Sequence, residues 1–157
     1  MRVRRPRIVI RTTRRALGEG FRAGQRRLPR ETGGIILGWR DTGLIHVEQL
    51  LEVPDPHAHY VNYERSHDAA QRALKAALAQ LPPDTLQGYV GEWHTHPVEH
   101  PPSKQDRKEL RAIARTTGKP VVLMVLAAGG AGRWHPTALT AHGRPLRAIP
   151  TRIEELP

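Results

Sequence analysis

The chain contains no cysteine. That excludes disulfide bridges, thiolate metal sites and cysteine nucleophiles together. Any metal must be held by histidine and carboxylate, and any hydrolysis must use water, serine or threonine. Aromatic residues are nearly as scarce, with one Phe, three Trp and three Tyr in 157 residues. Aliphatic side chains and alanine therefore have to build the core. The shortage of rings to stack bases also argues against single-stranded nucleic-acid binding, and a nucleic-acid partner is not expected. No run approaches the roughly 18 apolar residues that a membrane span requires, so no membrane association is expected. The N-terminus is basic but has no apolar stretch behind it, unlike a secretory signal, and a cytoplasmic location is expected.

What the chain has in excess is arginine, and its distribution is uneven. Residues 1–30 hold eleven arginines and one acid, Glu19, whereas the rest of the chain is balanced at 14 basic and 14 acidic side chains. Such a segment can attract an acidic partner, nucleic acid or anionic lipid, although a charge run is more often a solvated face.

The length suits one domain. Ile8-Val9-Ile10 reads as a first strand. Thr12 or Thr13 can cap a helix whose apolar face is Leu17, Phe21 and Leu28, with Gly24 on that side leaving room for another backbone; Pro29 ends it. Glu31-Thr32-Gly33-Gly34 then opens a buried strand, Ile35 to Trp39. Asp41-Thr42-Gly43 turns it into a return strand, Leu44 to Val53. Ser66 can cap a helix striped by Ala70, Leu74, Ala77, Leu78 and Leu81, which Pro82-Pro83 stop. Leu86 to His96 is a strand, and Ser103 opens a helix that closes near Gly118. Val121 to Ala128 is apolar throughout, as in a strand buried on both faces. Arg133 to Ala141 is a last strand, which Pro136 assigns to an edge. Strands and helices alternate irregularly, so the expected fold is α/β, more loosely α+β: a central mixed β-sheet flanked by helices. Residues 1–142 are expected to form this single domain, with residues 143–157 as a C-terminal tail.

Chemistry concentrates at Gly91-Glu92-Trp93-His94-Thr95-His96-Pro97. Side chains alternate along a strand, so His94 and His96 share a face and can share a metal. The pair is weak evidence by itself. Nine histidines make such spacing common, and His57-Ala58-His59 repeats it in a proline-bounded loop that reads as solvated. The residues downstream of His96 strengthen it. Ser103 is a natural N-cap, and Asp106 three residues on completes a capping pattern that would fix its carboxylate in space. Two imidazoles and one carboxylate suit zinc, with the fourth tetrahedral position left for water, as in catalytic sites. Glu31, Glu92 and Glu99 are all candidates for the base that such a site needs.

The arrangement Glu31…His94-Thr95-His96-Pro97…Ser103-Lys104-Gln105-Asp106 resembles the JAMM signature of the JAB/MPN metallopeptidases. Glu31-Thr32-Gly33-Gly34 with Leu37-Gly38, and Gly91-Glu92-Trp93 before the histidines, resemble the same family's flanking segments. The likeness extends over roughly residues 8–140, and the short chain is most similar to stand-alone prokaryotic JAB proteins. The resemblance implies a JAB/MPN layered architecture akin to that of cytidine deaminases. It further implies zinc on His94, His96 and Asp106, Glu31 as proton acceptor for the attacking water, and Ser103 as hydrogen-bond donor to the oxyanion. It implies a peptidase or isopeptidase acting at the C-terminus of a ubiquitin-like protein or its conjugates, with E1-like or E2-like operon partners. The competing expectation is a non-catalytic module whose basic N-terminal segment recruits an acidic partner.

Overall fold

The computed structural model describes residues 7–54 and 67–157. Strand β1 (Val9–Thr13) leads into helix α1 (Arg14–Arg27), with Thr13 as the cap: its Oγ1 accepts from the Ala16 N–H at 3.0 Å. The expected hairpin comes next as β2 (Gly33–Asp41) and β3 (Leu44–Glu52). Gly43 in the turn has φ 67, a left-handed backbone that favours glycine. Helix α2 (His67–Ala79) and strand β4 (Gly88–His96) are the next elements. Helix α3 (Lys104–Thr117) is capped by Ser103 and closed by left-handed Gly118. Strands β5 (Val121–Ala128), β6 (Trp134–His142), β7 (Arg147–Pro150) and β8 (Ile153–Leu156) complete the chain.

Among the described residues, eight strands form one mixed sheet in the order β7-β6-β5-β4-β2-β3-β1-β8. The order requires a curl. β7 and β8 lie at opposite ends of it, yet two residues separate them in sequence, a reach of about 11 Å at full extension. The two edges therefore approach each other, and the Thr151 N–H between them donates to the Ala138 carbonyl of β6 at 2.9 Å.

Residues 143–157 are thus not a tail. β7 pairs antiparallel with β6, and β8 pairs parallel with β1. The segment is short and half polar, so it carries little periodic signal, and its strands exist because edges of the sheet are there to pair with. Pro136 also departs from expectation. β6 is interior, between β5 and β7, but β7 pairs only residues Leu139 to His142, so Pro136 stands where β6 has no outer neighbour to donate to.

The sheet is buried from both sides. α1 covers one face, over a core of Ile10, Leu17, Ile36, Val47, Trp93, Met124 and Leu126. The other face is covered by α3, through Leu110 and Ala114 against Val121, Val125 and Leu139, and by α2, through Ala70 against Ile35 and Val53. Residues Val121 to Ala127 of β5 are all buried, as a strand sandwiched between helices must be. What comes close at Gly24 is a side chain and not a backbone: a Cβ there would lie 2.6 Å from the Trp134 ring.

Candidate metal centre

β4 runs parallel to β5, with His94 opposite Val125 and His96 opposite Ala127. Val125 belongs to the cluster under α3, so both imidazoles emerge on the α3 face, at the C-terminal end of their strand. The start of α3 brings the third group. Ser103 and Asp106 form a reciprocal capping box: the Ser103 N–H donates to Asp106 Oδ2 at 2.7 Å, and the Asp106 N–H donates to Ser103 Oγ at 3.0 Å. The cap and the candidate ligand are therefore one device. Bonding within the box aims the Asp106 carboxylate at the histidines.

His94 Nε2 and His96 Nε2 are 3.1 Å apart, His94 Nε2 lies 3.5 Å from Asp106 Oδ1, and His96 Nε2 lies 3.8 Å from Asp106 Oδ2. A coordination tetrahedron with bonds near 2.1 Å has edges of about 3.4 Å. Each histidine has the other imidazole and one Asp106 oxygen near that spacing, and with one donor atom per residue the three lie within 4.8 Å of one another, so the group could hold a metal ion.

The chemistry of the donors agrees. His96 Nδ1 lies 3.0 Å from the His100 carbonyl oxygen, which can only accept, so Nδ1 carries the proton and Nε2 keeps its lone pair toward the cluster. Burial pushes His96 down to about 4, which keeps that lone pair available at neutral pH. The His100 ring stacks on His96 with centroids 3.7 Å apart, holding the imidazole in plane. At Asp106, burial opposes ionisation. The His94 hydrogen bond, the His94 charge and the two Ser103 bonds outweigh it, and the carboxyl sits well below the usual range.

Glu31 reaches the same face by register. Gly33 pairs with His94, and the ladder is extended one step by the Thr95 N–H donating to the Thr32 carbonyl at 2.8 Å. Glu31 thereby shares the parity of Gly33 and lies on the α3 side with the histidines. It is 8% exposed, and burial lifts it to about 7, with the His94 charge lowering it and the Asp106 charge raising it further. The other two candidate bases are placed differently. Glu92 is one step deeper in β4, paired with Ile35 and Leu123, and Glu99 is exposed on the loop after β4. His57 and His59, Ser66 and its cap lie outside the described residues.

Glycine at position 33 is required by this approach. A Cβ there would sit 2.3 Å from the Trp93 carbonyl oxygen and 2.9 Å from His94 Cα. Gly33→Ala is expected to cost about 3 kcal/mol, because the obstacle is backbone and cannot yield. Thermal unfolding checks it: Tm should drop by roughly 10 °C in a chain of this size.

A second expectation concerns pH. Between its ordinary 4.5 and about 7, Glu31 is protonated in the fold and ionised in the unfolded chain. Its contribution to stability is complete below pH 4.5 and is lost as pH rises through 7. With chelator present, Glu31→Gln should therefore be more stable than the wild type at pH 8 by about 3 kcal/mol, the gap closing near pH 4. Denaturant titrations at the two pH values measure it.

Sequence reasoning missed the supports of the site: Thr95 behind the histidines, the His100 stack, and Glu52. The arginine-rich segment turns out to meet the chain's own carboxylates. Arg11 and Arg14 pair with Glu154 and Glu155 of β8, Arg15 with Glu19, and Arg26 and Arg27 with Glu52.

The model of the family described as prokaryotic homologs of the JAB domain matches residues 13–140. The chain belongs to this prokaryotic JAB-domain family. Among solved structures, protein DSY2949 from Desulfitobacterium hafniense is similar to the JAB chain at 17% identity, with a TM-score of 0.67 over 94% of this chain and 93% of that one. At that identity the likeness speaks for the fold. A search of curated proteins found no match. The family includes metallopeptidases, and this JAB chain carries a His-His-Asp group that could hold a metal ion. Among the described residues, no helix is long and apolar enough to cross a membrane.

Proposed function

We propose that this JAB protein is a zinc peptidase that hydrolyses the peptide or isopeptide bond at the C-terminus of a ubiquitin-like protein. The observation that carries the reading is that one donor atom from each of His94, His96 and Asp106 lies within 4.8 Å of the others, beside a buried carboxyl lifted to about 7. His94, His96 and Asp106 would hold the ion, a ligand set of two nitrogens and one oxygen that suits zinc. Zinc there supplies Lewis acidity, which acidifies water and polarises a carbonyl.

The protein's own groups do the rest. Glu31, poised near neutral pH, takes a proton from the attacking water and returns it to the leaving amine as the carbon–nitrogen bond breaks. The Ser103 hydroxyl accepts from the Asp106 N–H, and no described residue engages its proton, which is free to donate to the oxyanion of the tetrahedral intermediate. Such a donor commonly contributes about 3 kcal/mol. The substrate class is carried over from the resemblance in the catalytic motif, together with the E1-like or E2-like partners it implies.

The test is a ubiquitin-like protein fused through its C-terminal tail to a fluorescent protein. Cleavage at the junction that stops with chelator and returns with added zinc supports the reading. Cleavage that survives metal removal overturns it.

A further inference from the structure

We infer that Thr32, anchored by Glu52, is a positioning residue that pins the register of Glu31 against the histidine strand. The inference rests on Glu31 being the proton acceptor, and it assigns a task to part of the arginine-rich segment.

The segment needs a pin. Glu31 precedes the first residue of β2, where a ladder ends and backbone frays most readily. After Thr32 come Gly33 and Gly34, which the close approach demands but which specify register weakly. A slip of one residue would turn Glu31 to the α1 side of the sheet, away from His94 and Asp106.

Thr32 points to that opposite side and is 1% exposed. Its Oγ1 donates to Glu52 Oε1 at 2.9 Å, at the end of β3. The same oxygen accepts from Arg27 Nε at 3.0 Å, and Glu52 Oε2 accepts from Arg26 Nη2 at 3.3 Å, both from the last turn of α1. The Thr32 backbone is tied to the ligand strand. Its N–H donates to Thr95 Oγ1 at 2.9 Å, and its carbonyl accepts from the Thr95 N–H at 2.8 Å. Thr95 stands between the two histidines. One threonine therefore links α1, β3 and β4 at the residue next to Glu31. A carboxylate shared by two guanidinium groups is a strong acceptor held in place, so the Thr32 hydroxyl has one favoured direction.

Thr32→Val is the direct test, being close in shape and lacking the hydroxyl, and Glu52→Gln tests the anchor without disturbing the interior. On the fluorescent fusion, both should lower kcat about tenfold while KM stays within about twofold, the signature of a misplaced base. Zinc affinity, measured by chelator competition, should be unchanged. Amide exchange of residues 31–34 should accelerate in both variants, and Thr32→Ser should restore both kcat and protection. A kcat within twofold of wild type in Thr32→Val, in an assay where Glu31→Gln is inactive, overturns the inference; so does a kcat loss matched by an equal loss of zinc affinity. If Glu31→Gln cleaves as well as wild type, the peptidase reading fails by itself. The exchange measurement then decides the pin: unchanged protection of residues 31–34 refutes it.

Discussion

Glu31→Gln should retain zinc with near wild-type affinity yet cleave the fluorescent fusion about a thousandfold more slowly, within the range general-base removal produces. Glutamine fills the same volume but cannot take a proton. Of the other two candidate bases, Glu99 is exposed on its loop, and Glu92 lies one step deeper in β4, paired with Ile35 and Leu123. Asp106 is near, but its low pKa makes it a poor proton acceptor. Steady-state cleavage with chelator-competition measurement of zinc separates the two effects, and a fully active variant would remove Glu31 from the mechanism.

The second large effect is expected at Asp106→Asn. Loss of partners that merely orient a ligand costs about ten- to a hundredfold in metal affinity, so loss of a charged ligand should exceed a hundredfold. Cleavage at limiting zinc should fall in parallel and recover in part at high zinc. Stability should change little, by about 1 kcal/mol, because the asparagine oxygen can still accept from the Ser103 N–H. This contrast tests whether capping and metal binding are separable at one side chain. A variant that loses fold and zinc together would mean that the cap dominates.

Legibility tracked the range over which each signal acts. The capped start of α3, the shared face of His94 and His96, and the hairpin around Gly43 depend on residues within a few positions of one another, and each was readable. The choice among Glu31, Glu92 and Glu99 was not readable from spacing. It waited on the resemblance, and in the structure it comes down to the pairing of Gly33 with His94 across 61 positions. Gly24 announced a close approach but could not name Trp134 as the neighbour. The arginines announced charge, but their partners, Glu52, Glu154 and Glu155, lie up to 143 residues away.

By itself, then, the chain's order of residues determined the absence of thiol chemistry, a mixed sheet with helices, and a histidine pair upstream of a cap-bearing aspartate, since all of these are properties of composition or of local periodicity. Tertiary structure decided that residues 143–157 become two strands on opposite edges of a curled sheet, that one glutamate enters the site, and that Thr32 and Glu52 stand behind it. Those outcomes depend on which strand lies beside which and in what register, and register is set by long-range burial and pairing that no short window of sequence contains.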